Sequence, residues 1–429
     1  MTNALEKKGI NKETIGAWII HHSRKIARDM SAPSEYSILD ETGKAAELLM
    51  RMGETGEVTL NQIELEAIAK SLNLNPRTSL PHYISLLEKH GLVQESKSNK
   101  CVHVLGVTTG SVLSHAANIF EKAAPDKHEQ AAIMLSEVAS KSPVALKDAR
   151  EYIGDEFKIK TSDVNDFLNQ SIEIGFVDKE GGSDSDFLLF NGNIFRRDCI
   201  QKTGRVLSSL SERESMAFRR VREMLVKQGC IPAALCENEL GKDLFEKLKP
   251  AGLLDISIVS NEAGDNAFVT LPDAFHKFVD PVVDDAFDMA KALVSALTYG
   301  KESRDPSKGR IIKYDWILGK LIQGAEVGPA TAIGNDYRIL EQNRVVKINK
   351  TGNNMFTMKL LKREIGELAL KVLSQGNANI ESLKIVPGAC MVNYTGPEAS
   401  RERARKRQSQ PSKKQTYEIL MALRSNSEF

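Results

Sequence analysis

The 429-residue chain has few cysteines, few aromatic residues and no long apolar run. No stretch approaches the roughly 18 apolar residues needed to cross a bilayer, so we expect no membrane-spanning segment. The opening residues, MTNALEKKGINKE, lack an apolar signal core, and we expect no secretory signal. The five cysteines are odd in number and scattered, which predicts free thiols in a cytoplasmic protein.

The common sequence motifs of catalysis are also missing. The chain has no G-x-x-x-x-G-K-[ST] phosphate loop, H-E-x-x-H zinc motif, G-x-S-x-G elbow or C-x-x-C pair. Cys230 and Cys236 have no companion ligands, and His82, His90 and His103 have none at metal-ligand spacing. We therefore expect no enzyme, no metal site and no cofactor. A nuclease built from dispersed carboxylates and lysines is the remaining enzymatic alternative.

One stretch of the sequence predicts a helix, a turn and a second helix. The first helix is indicated by apolar residues at near-helical spacing: Ile63, Leu65, Ile68 and Leu72. The second is indicated in the same way by Leu80, Ile84 and Leu87. It is capped by Thr78 or Ser79 and ends at Gly91, because a residue without a Cβ adopts the left-handed conformation at little cost. Residues 93–107 then alternate around a polar middle like a short hairpin. Together these elements indicate a winged helix.

The ending of this second helix recurs along the chain. Gly91, Gly175 and Gly252 each close a helical pattern before an alternating stretch, and Arg344 stands at the fourth such position. Self-similarity at one domain length predicts a tandem array. We therefore expect a mainly α protein with small β-wings (α+β), built from about four winged-helix domains.

The predicted domain boundaries follow from these repeats. The four winged-helix domains are placed at 38–107, 108–200, 201–280 and 281–375. Residues 1–37 precede them with an N-terminal helix, in which Trp18 belongs to an apolar face that docks on a neighbouring domain or on a second chain. Residues 376–429 follow with a strand pair, a basic disordered segment and a short terminal helix.

Charge distinguishes the four predicted domains. Duplex DNA presents one charge every ~1.7 Å, so a DNA-contacting surface needs cationic or neutral polar residues. The first domain offers Arg77 near its second helix. Further cations are those of the fourth domain and of the C-terminal segment: Arg338, Arg344, Lys347, Lys350, Arg403, Arg405, Lys406 and Arg407. The second domain is acidic between residues 160 and 186, and the third is little better suited to contact DNA. These inner domains are interpreted as spacers or protein-contact surfaces.

Residues 60–107 resemble the winged-helix domains of MarR- and ArsR-type bacterial regulators. The resemblance is carried by AIAKSLNLN (67–75), by TSLPHYISLLEKHGLV (78–93) and by the hairpin after them. It implies that the first turns of the second helix face bases through the following residues: Thr78, Ser79, Pro81, His82 and Ser85. It also implies that Lys97, Asn99 and Lys100 lie along phosphates or in a minor groove. Pro81 departs from the usual polar residue there, although a first helical turn tolerates proline.

These observations lead to two hypotheses. The first is a cytoplasmic, prokaryotic protein that binds double-stranded DNA through several winged helices, as a transcriptional regulator or as a replication or partition factor of a mobile element. The alternative is a non-enzymatic scaffold subunit of a defence, chromosome-organising or partition complex. Its protein partner would bind the acidic inner domains or the N-terminal helix. No oligomeric state is predicted.

Overall fold

The computed structural model describes residues 4–27, 34–54, 59–96, 101–106, 109–181, 187–195, 197, 199–261, 264–275, 277–278, 284–304, 309–352 and 354–379. All of them belong to a compact unit that spans Met1–Ile385. The strand pair, basic segment and terminal helix predicted after residue 379 lie outside the described residues, and so do Arg403, Arg405, Lys406 and Arg407. None of the described helices is long and apolar enough to span a bilayer.

The described residues form a mainly helical protein with four small antiparallel sheets, which confirms the α+β prediction. Each sheet has three strands and arises from the same run of elements, namely a strand, two helices and a hairpin. In every sheet the last strand of the run lies between the other two. We call the four runs, with the one or two helices before each, the first to fourth segments.

The first segment is preceded by two helices, α1 (Ala4–Lys7) and α2 (Lys12–Ile26). Its elements are α3 (Ser37–Glu54), β1 (Thr59–Leu60), α4 (Gln62–Ser71), α5 (Ser79–Lys89), β2 (Val93–Ser96) and β3 (Cys101–Val104). Helix α4 begins where it does because Asn61 and Glu64 form a capping box, in which each side chain accepts from the other residue's backbone N–H. The side chain of Asn11 caps α2 by accepting from the Thr14 N–H at 2.7 Å.

Helix α2 lies in the protein interior. Its predicted apolar face is buried throughout: Ile15, Trp18, Ile19, His22 and Ile26. It packs against α3 and against α6 (Thr109–Lys122), which follows the first segment. Gly16 permits the contact with α6, because a Cβ there would lie 2.0 Å from the Leu113 carbonyl oxygen. The face predicted to dock on a neighbouring domain or on a second chain therefore docks within the chain.

The second segment shares its core with the first. Its elements are α7 (Lys127–Lys141), β4 (Val144–Ala145), α8 (Leu146–Phe157), α9 (Thr161–Ile174), β5 (Asp178–Glu180) and β6 (Leu188–Phe190). One continuous apolar cluster runs from Leu5 in α1 to Leu189 in β6 and includes Phe278. Because burial of apolar area is the main favourable term in folding, the two segments stabilise each other.

The third and fourth segments are joined by a helix that follows both of them. The elements of the third are α10 (Ile200–Ser208), α11 (Glu212–Gln228), β7 (Cys230–Pro232), α12 (Ala233–Leu240), α13 (Lys242–Leu248), β8 (Asp255–Asn261) and β9 (Gly264–Thr270). Those of the fourth are α14 (Asp284–Glu302), α15 (Tyr314–Ile322), β10 (Val327–Ala330), α16 (Thr331–Asp336), α17 (Arg338–Gln342), β11 (Val346–Gly352) and β12 (Met355–Leu360). Helix α18 (Arg363–Gln375) packs on α11, α14 and α15. Its end crosses the end of α11 so closely that a Cβ on Gly376 would lie 1.7 Å from the Val226 carbonyl oxygen.

The predicted equivalence of the four helix endings is visible in the backbone. Gly91, Gly175 and Gly252 have φ values of +68°, +88° and +67°. Arg344 has a φ of +53°, although an L side chain disfavours this conformation. The fourth segment therefore turns as the others do, at a position without glycine.

A buried polar network connects α2 and α7 with Lys277, which follows β9. The indole N–H of Trp18 donates to Glu137 Oε2 at 2.9 Å, and Lys277 Nζ lies 2.6 Å from the same oxygen. Lys141 Nζ lies 3.5 Å from Glu137 Oε1. Burial alone would raise the pKa of Glu137, but Lys277 and Lys141 outweigh this effect and lower the pKa to about 2. The carboxylate is therefore ionised and paired in the interior.

Candidate nucleic-acid interface

Helix α5 is the second helix of the first segment, and its exposed face carries the predicted base-contacting residues. Four residues at helical spacing are buried against α3 and the hairpin: Leu80, Tyr83, Ile84 and Leu87. Their burial turns Pro81, His82 and Ser85 outward, while Ser79 is half-buried. The helix therefore presents three of the residues that the resemblance to bacterial regulators implied.

Asn75 organises the turn before α5. Its side-chain oxygen accepts from the backbone N–H of Arg77 at 2.9 Å and of Thr78 at 3.3 Å. Its carbonyl accepts from the Ser79 N–H at 2.9 Å. Thr78 stands at the N-cap position, but its side chain makes no capping hydrogen bond. The exposed side chains of Arg77 and Thr78 are thus left outside the capping contacts, beside the first turn of α5.

Carboxylates lie beside the exposed face of α5. His82 Nε2 is hydrogen-bonded to Glu41 Oε1 of α3, and the two side chains are 57% and 40% exposed. Glu88 Oε1 accepts from the Glu95 N–H at 3.1 Å and so joins α5 to β2. Since phosphates repel carboxylates, Glu41 limits how closely a duplex backbone can approach His82. Lys97, Asn99 and Lys100 lie outside the described residues.

The hairpin of the fourth segment has a more uniform charge. Between Arg344 and Arg363 the sequence contains six basic residues and no acidic residue. Lys347 of β11 lies directly opposite Lys359 of β12. Asn349 and Thr357 form the next pair on the same face, because side chains alternate along a strand. The opposite face contains the buried residues Val346, Met358 and Leu360. The solvent-facing side of the hairpin is therefore polar and cationic.

The helix before this hairpin is too short to extend through a DNA groove. Helix α17 has five residues, which corresponds to about 7.5 Å of length. The major groove is about 12 Å wide. Arg338, at its first position, donates back to the Gly334 carbonyl and to Asn335 Oδ1 at 3.3 and 3.2 Å. Of the cations predicted for this segment, Arg344, Lys347 and Lys350 lie at the hairpin, and Arg338 lies on the helix.

The second segment presents an acidic surface where the first presents α5. Three carboxylates on the exposed side of α9 line a cleft of about 430 Å³ together with Glu35: Asp163, Asp166 and Glu173. A duplex backbone would be repelled there. The acidic residues of this segment thus lie exposed on its second helix.

The hairpin of the third segment is used inside the molecule. Asn261, at the end of β8, donates to Asp336 Oδ1 of α16 at 3.2 Å. Asp336 is also paired with Arg304, and the Asp336 side chain is buried. The contact fixes this hairpin against the fourth segment, so it is not available to a duplex in the way that the fourth hairpin is.

A cavity of about 270 Å³ lies beside the buried network of Glu137. Its remaining charged side chains are paired with one another or with the backbone. Arg222 donates to the Lys141 carbonyl at 2.7 Å and to Asp273 Oδ2 at 2.5 Å. These contacts explain the charged groups of the cavity as links between α7, α11 and Asp273, which follows β9.

Sequence reasoning missed the pairing of Lys347 with Lys359. Sequence alternation predicted a hairpin after Arg344, but it did not specify the register that places Lys347 opposite Lys359. The pairing of His82 with Glu41 had no sequence signal, because the two residues belong to helices that meet only through packing.

Comparisons of this chain with protein-family models, with curated proteins and with solved structures found no match.

Proposed function

We propose that the chain is a non-enzymatic protein of four winged-helix domains that binds double-stranded DNA mainly through phosphate contacts. The repeated strand–helix–helix–hairpin order supports the winged-helix assignment, with boundaries at 38–107, 108–200, 201–280 and 281–375. The observation that carries the DNA-binding function is the cationic, acid-free hairpin of the fourth segment. A surface of this charge favours a polyanion over other partners.

The contacts are divided between the two ends of the array. In the first segment, Arg77, Thr78, His82 and Ser85 are exposed around α5, and they supply whatever base contacts are made. In the fourth segment the cations supply affinity without sequence preference. Joining two weak sites in one chain raises the effective concentration of the second site once the first is bound. Binding through two linked sites suits a cytoplasmic prokaryotic regulator, or a replication or partition factor.

A scaffold function is the second candidate, and two observations favour it. The second segment presents carboxylates instead of cations on α9, and the hairpin of the third segment packs against the fourth. Winged helices that contact proteins need no cationic face. In this case the acidic cleft would bind a basic protein partner, and duplex binding would be undetectable at low salt.

The test is a salt series of fluorescence-anisotropy titrations with the full chain and random-sequence duplexes. We expect log K to fall linearly with log salt, with a slope of about −0.9 for each phosphate contacted. Arg77→Ala is expected to weaken binding, whereas Glu41→Gln is expected to strengthen it several-fold by removing the carboxylate beside His82. A chain that binds no duplex at low salt would rule out DNA binding and leave the scaffold function.

A further inference from the structure

We propose that the fourth segment binds the DNA backbone through the flat face of its β11–β12 hairpin, with Lys347 and Lys359 as the central phosphate ligands, and inserts no helix into a groove. This inference rests on the proposed function and specifies how one of its sites works. The docking surface is the solvent-facing side of the hairpin, which consists of Lys347, Asn349, Thr357 and Lys359.

The lysine pair is not explained by folding. Like charges directly opposite each other on neighbouring strands are destabilising, because their Cβ atoms lie only about 4.5–5.5 Å apart. Neither lysine forms an ion pair within the part of the chain that the structure describes. A phosphate between or beside the two ammonium groups would relieve this repulsion. The pair therefore fits a function that requires an anion.

Protection of a sheet edge explains only one of the two lysines. Proteins often place lysine on an edge strand to prevent pairing with a second sheet. The sheet order is β10–β12–β11, so Lys347 lies on an edge strand and Lys359 lies on the central strand. A lysine on the central strand does nothing for the edge. Its exposure opposite Lys347 thus points to a ligand that covers both strands.

The distribution of cations along the hairpin places the contact on its face and base. The tip, residues 351–354, has no charged residue. Arg344 precedes β11 and Lys362 follows β12, and both are exposed. The Val345 carbonyl holds these two ends together by accepting from the N–H groups of Leu361 at 2.8 Å and of Lys362 at 3.3 Å. Two further cations therefore lie at the base of the lysine face.

One carboxylate lies near this face. Glu326, before β10, accepts from Asn349 Nδ2 at 3.2 Å. It orients the amide and makes no ion pair with Lys359 in the described part of the chain. On this face, the polar groups between the lysines and the tip are thus Asn349 and Thr357, which donate hydrogen bonds to phosphate oxygens without adding charge.

The test compares two charge-matched double variants in the full chain. In Lys347→Gln/Lys359→Gln the hairpin loses two cations. In the control, Lys202→Gln/Lys242→Gln, two exposed lysines of the third segment are replaced. The hairpin variant is expected to bind duplexes of every sequence on the order of tenfold more weakly at moderate salt, with a salt slope smaller by about 1.8 because two phosphate contacts are lost. The control is expected to retain the slope of the unaltered chain.

Two further measurements complete the test. Because the lysines repel each other, the thermal midpoint of Lys347→Gln/Lys359→Gln is expected to equal or exceed that of the unaltered chain. Arg338→Gln, on α17, is expected to leave the salt slope unchanged. An unchanged slope in the hairpin variant, or a slope lowered by Arg338→Gln alone, would overturn the hairpin contact while leaving DNA binding in place. If the unaltered chain bound no duplex at all, the proposed function would fail with it.

Discussion

At the residue scale, the backbone at Arg344 shows how a repeated structure is kept when its sequence signal is lost. The other three segments use glycine at this position, and all four positions have positive φ. Arginine is disfavoured in this conformation because its Cβ approaches backbone atoms. The position also adds a cation at the base of the lysine-rich hairpin, where glycine would add none. The strain and the charge therefore occur at the same residue.

Replacing Arg344 with glycine is expected to stabilise the fourth segment by about 0.5–1 kcal/mol, because the backbone strain is relieved. The mirror substitution is Gly91→Ala, whose new Cβ would meet no atom within 4 Å. It is expected to destabilise the first segment by about 1 kcal/mol through conformation alone. Urea unfolding measures the stability change of each variant. Hydrogen exchange of the β11–β12 and β2–β3 amides shows in which segment the change occurs. Equal protection in Arg344→Gly and the unaltered chain would contradict the strain.

Two cysteines of the third segment show how burial alone changes the chemistry of a side chain. Cys230 and Cys236 were predicted to be free thiols, and in the structure both are free and buried. Burial raises the pKa of each thiol to about 12, so neither thiol ionises near neutral pH. They act as small apolar side chains of the third segment.

At the element scale, α2 depends on how closely two helices approach each other. Sequence periodicity identified its apolar face, but periodicity alone cannot say which element covers that face. The structure places α3 and α6 there, with Gly16 against the backbone of Leu113 and Gly43 against the side chain of Ser23. Small residues at these positions determine the distance between the helices.

Gly16→Ala is therefore expected to force α2 and α6 apart and to cost about 3 kcal/mol, at the upper end of the usual range for overpacking. The control is Gly319→Ala in α15, where an added Cβ would meet no atom within 4 Å. Alanine is the better helix former, so the control is expected to gain about 0.5–1 kcal/mol. Thermal denaturation of both variants measures these two changes in stability. A Gly16→Ala chain as stable as the unaltered one would mean that α2 does not lie against α6.

The second helices of the first and fourth segments differ in a way that matters for function. Helix α5 has eleven residues and α17 has five. The sequence showed that the two helices end in the same way, before residues 93 and 346, and the positive φ values of Gly91 and Arg344 agree with this. The length of the helix was not evident, because short helices are stabilised mainly by tertiary packing.

At the scale of the whole molecule, the segments do not behave as independent domains. The first and second share one apolar cluster, α18 packs on helices from both later segments, and Asn261 of the third segment donates to Asp336 of the fourth. A fragment containing only residues 38–107 would expose apolar surface that α2 and α6 normally cover. This is why the binding experiments use the full chain.

The Glu137 network predicts how the stability of the whole unit depends on pH. The pKa of Glu137 in the folded chain is about 2, below its ordinary value of 4.5. The paired carboxylate therefore stabilises the fold fully above about pH 4.5, and this contribution is lost as the pH falls towards 2. Glu137→Gln is expected to cost about 3 kcal/mol at pH 7, because Lys277 is left buried without its counter-charge.

The measurement is a set of urea midpoints at pH 7, 5 and 3 for the unaltered chain, for Glu137→Gln and for the control Glu239→Gln, whose carboxylate is exposed. The fall between pH 5 and 3 is expected to be smaller in Glu137→Gln than in the other two. Burial lowers the pKa of His22 to about 3, which reduces stability below about pH 6.5 in all three proteins. Equal falls in Glu137→Gln and the unaltered chain would show that the Glu137–Lys277 pair does not form.

The sequence by itself determined the helices, the hairpins and the ends of the second helices, since helical spacing, alternation and left-handed turns act over a few neighbouring residues. Residue 344 has the conformation predicted for it even without glycine. Only the tertiary structure decided which surfaces remain exposed. The Trp18–Glu137 bond joins residues 119 positions apart, and Lys347 meets Lys359 through strand register. Such pairings depend on how whole elements pack, and no local pattern contains that information.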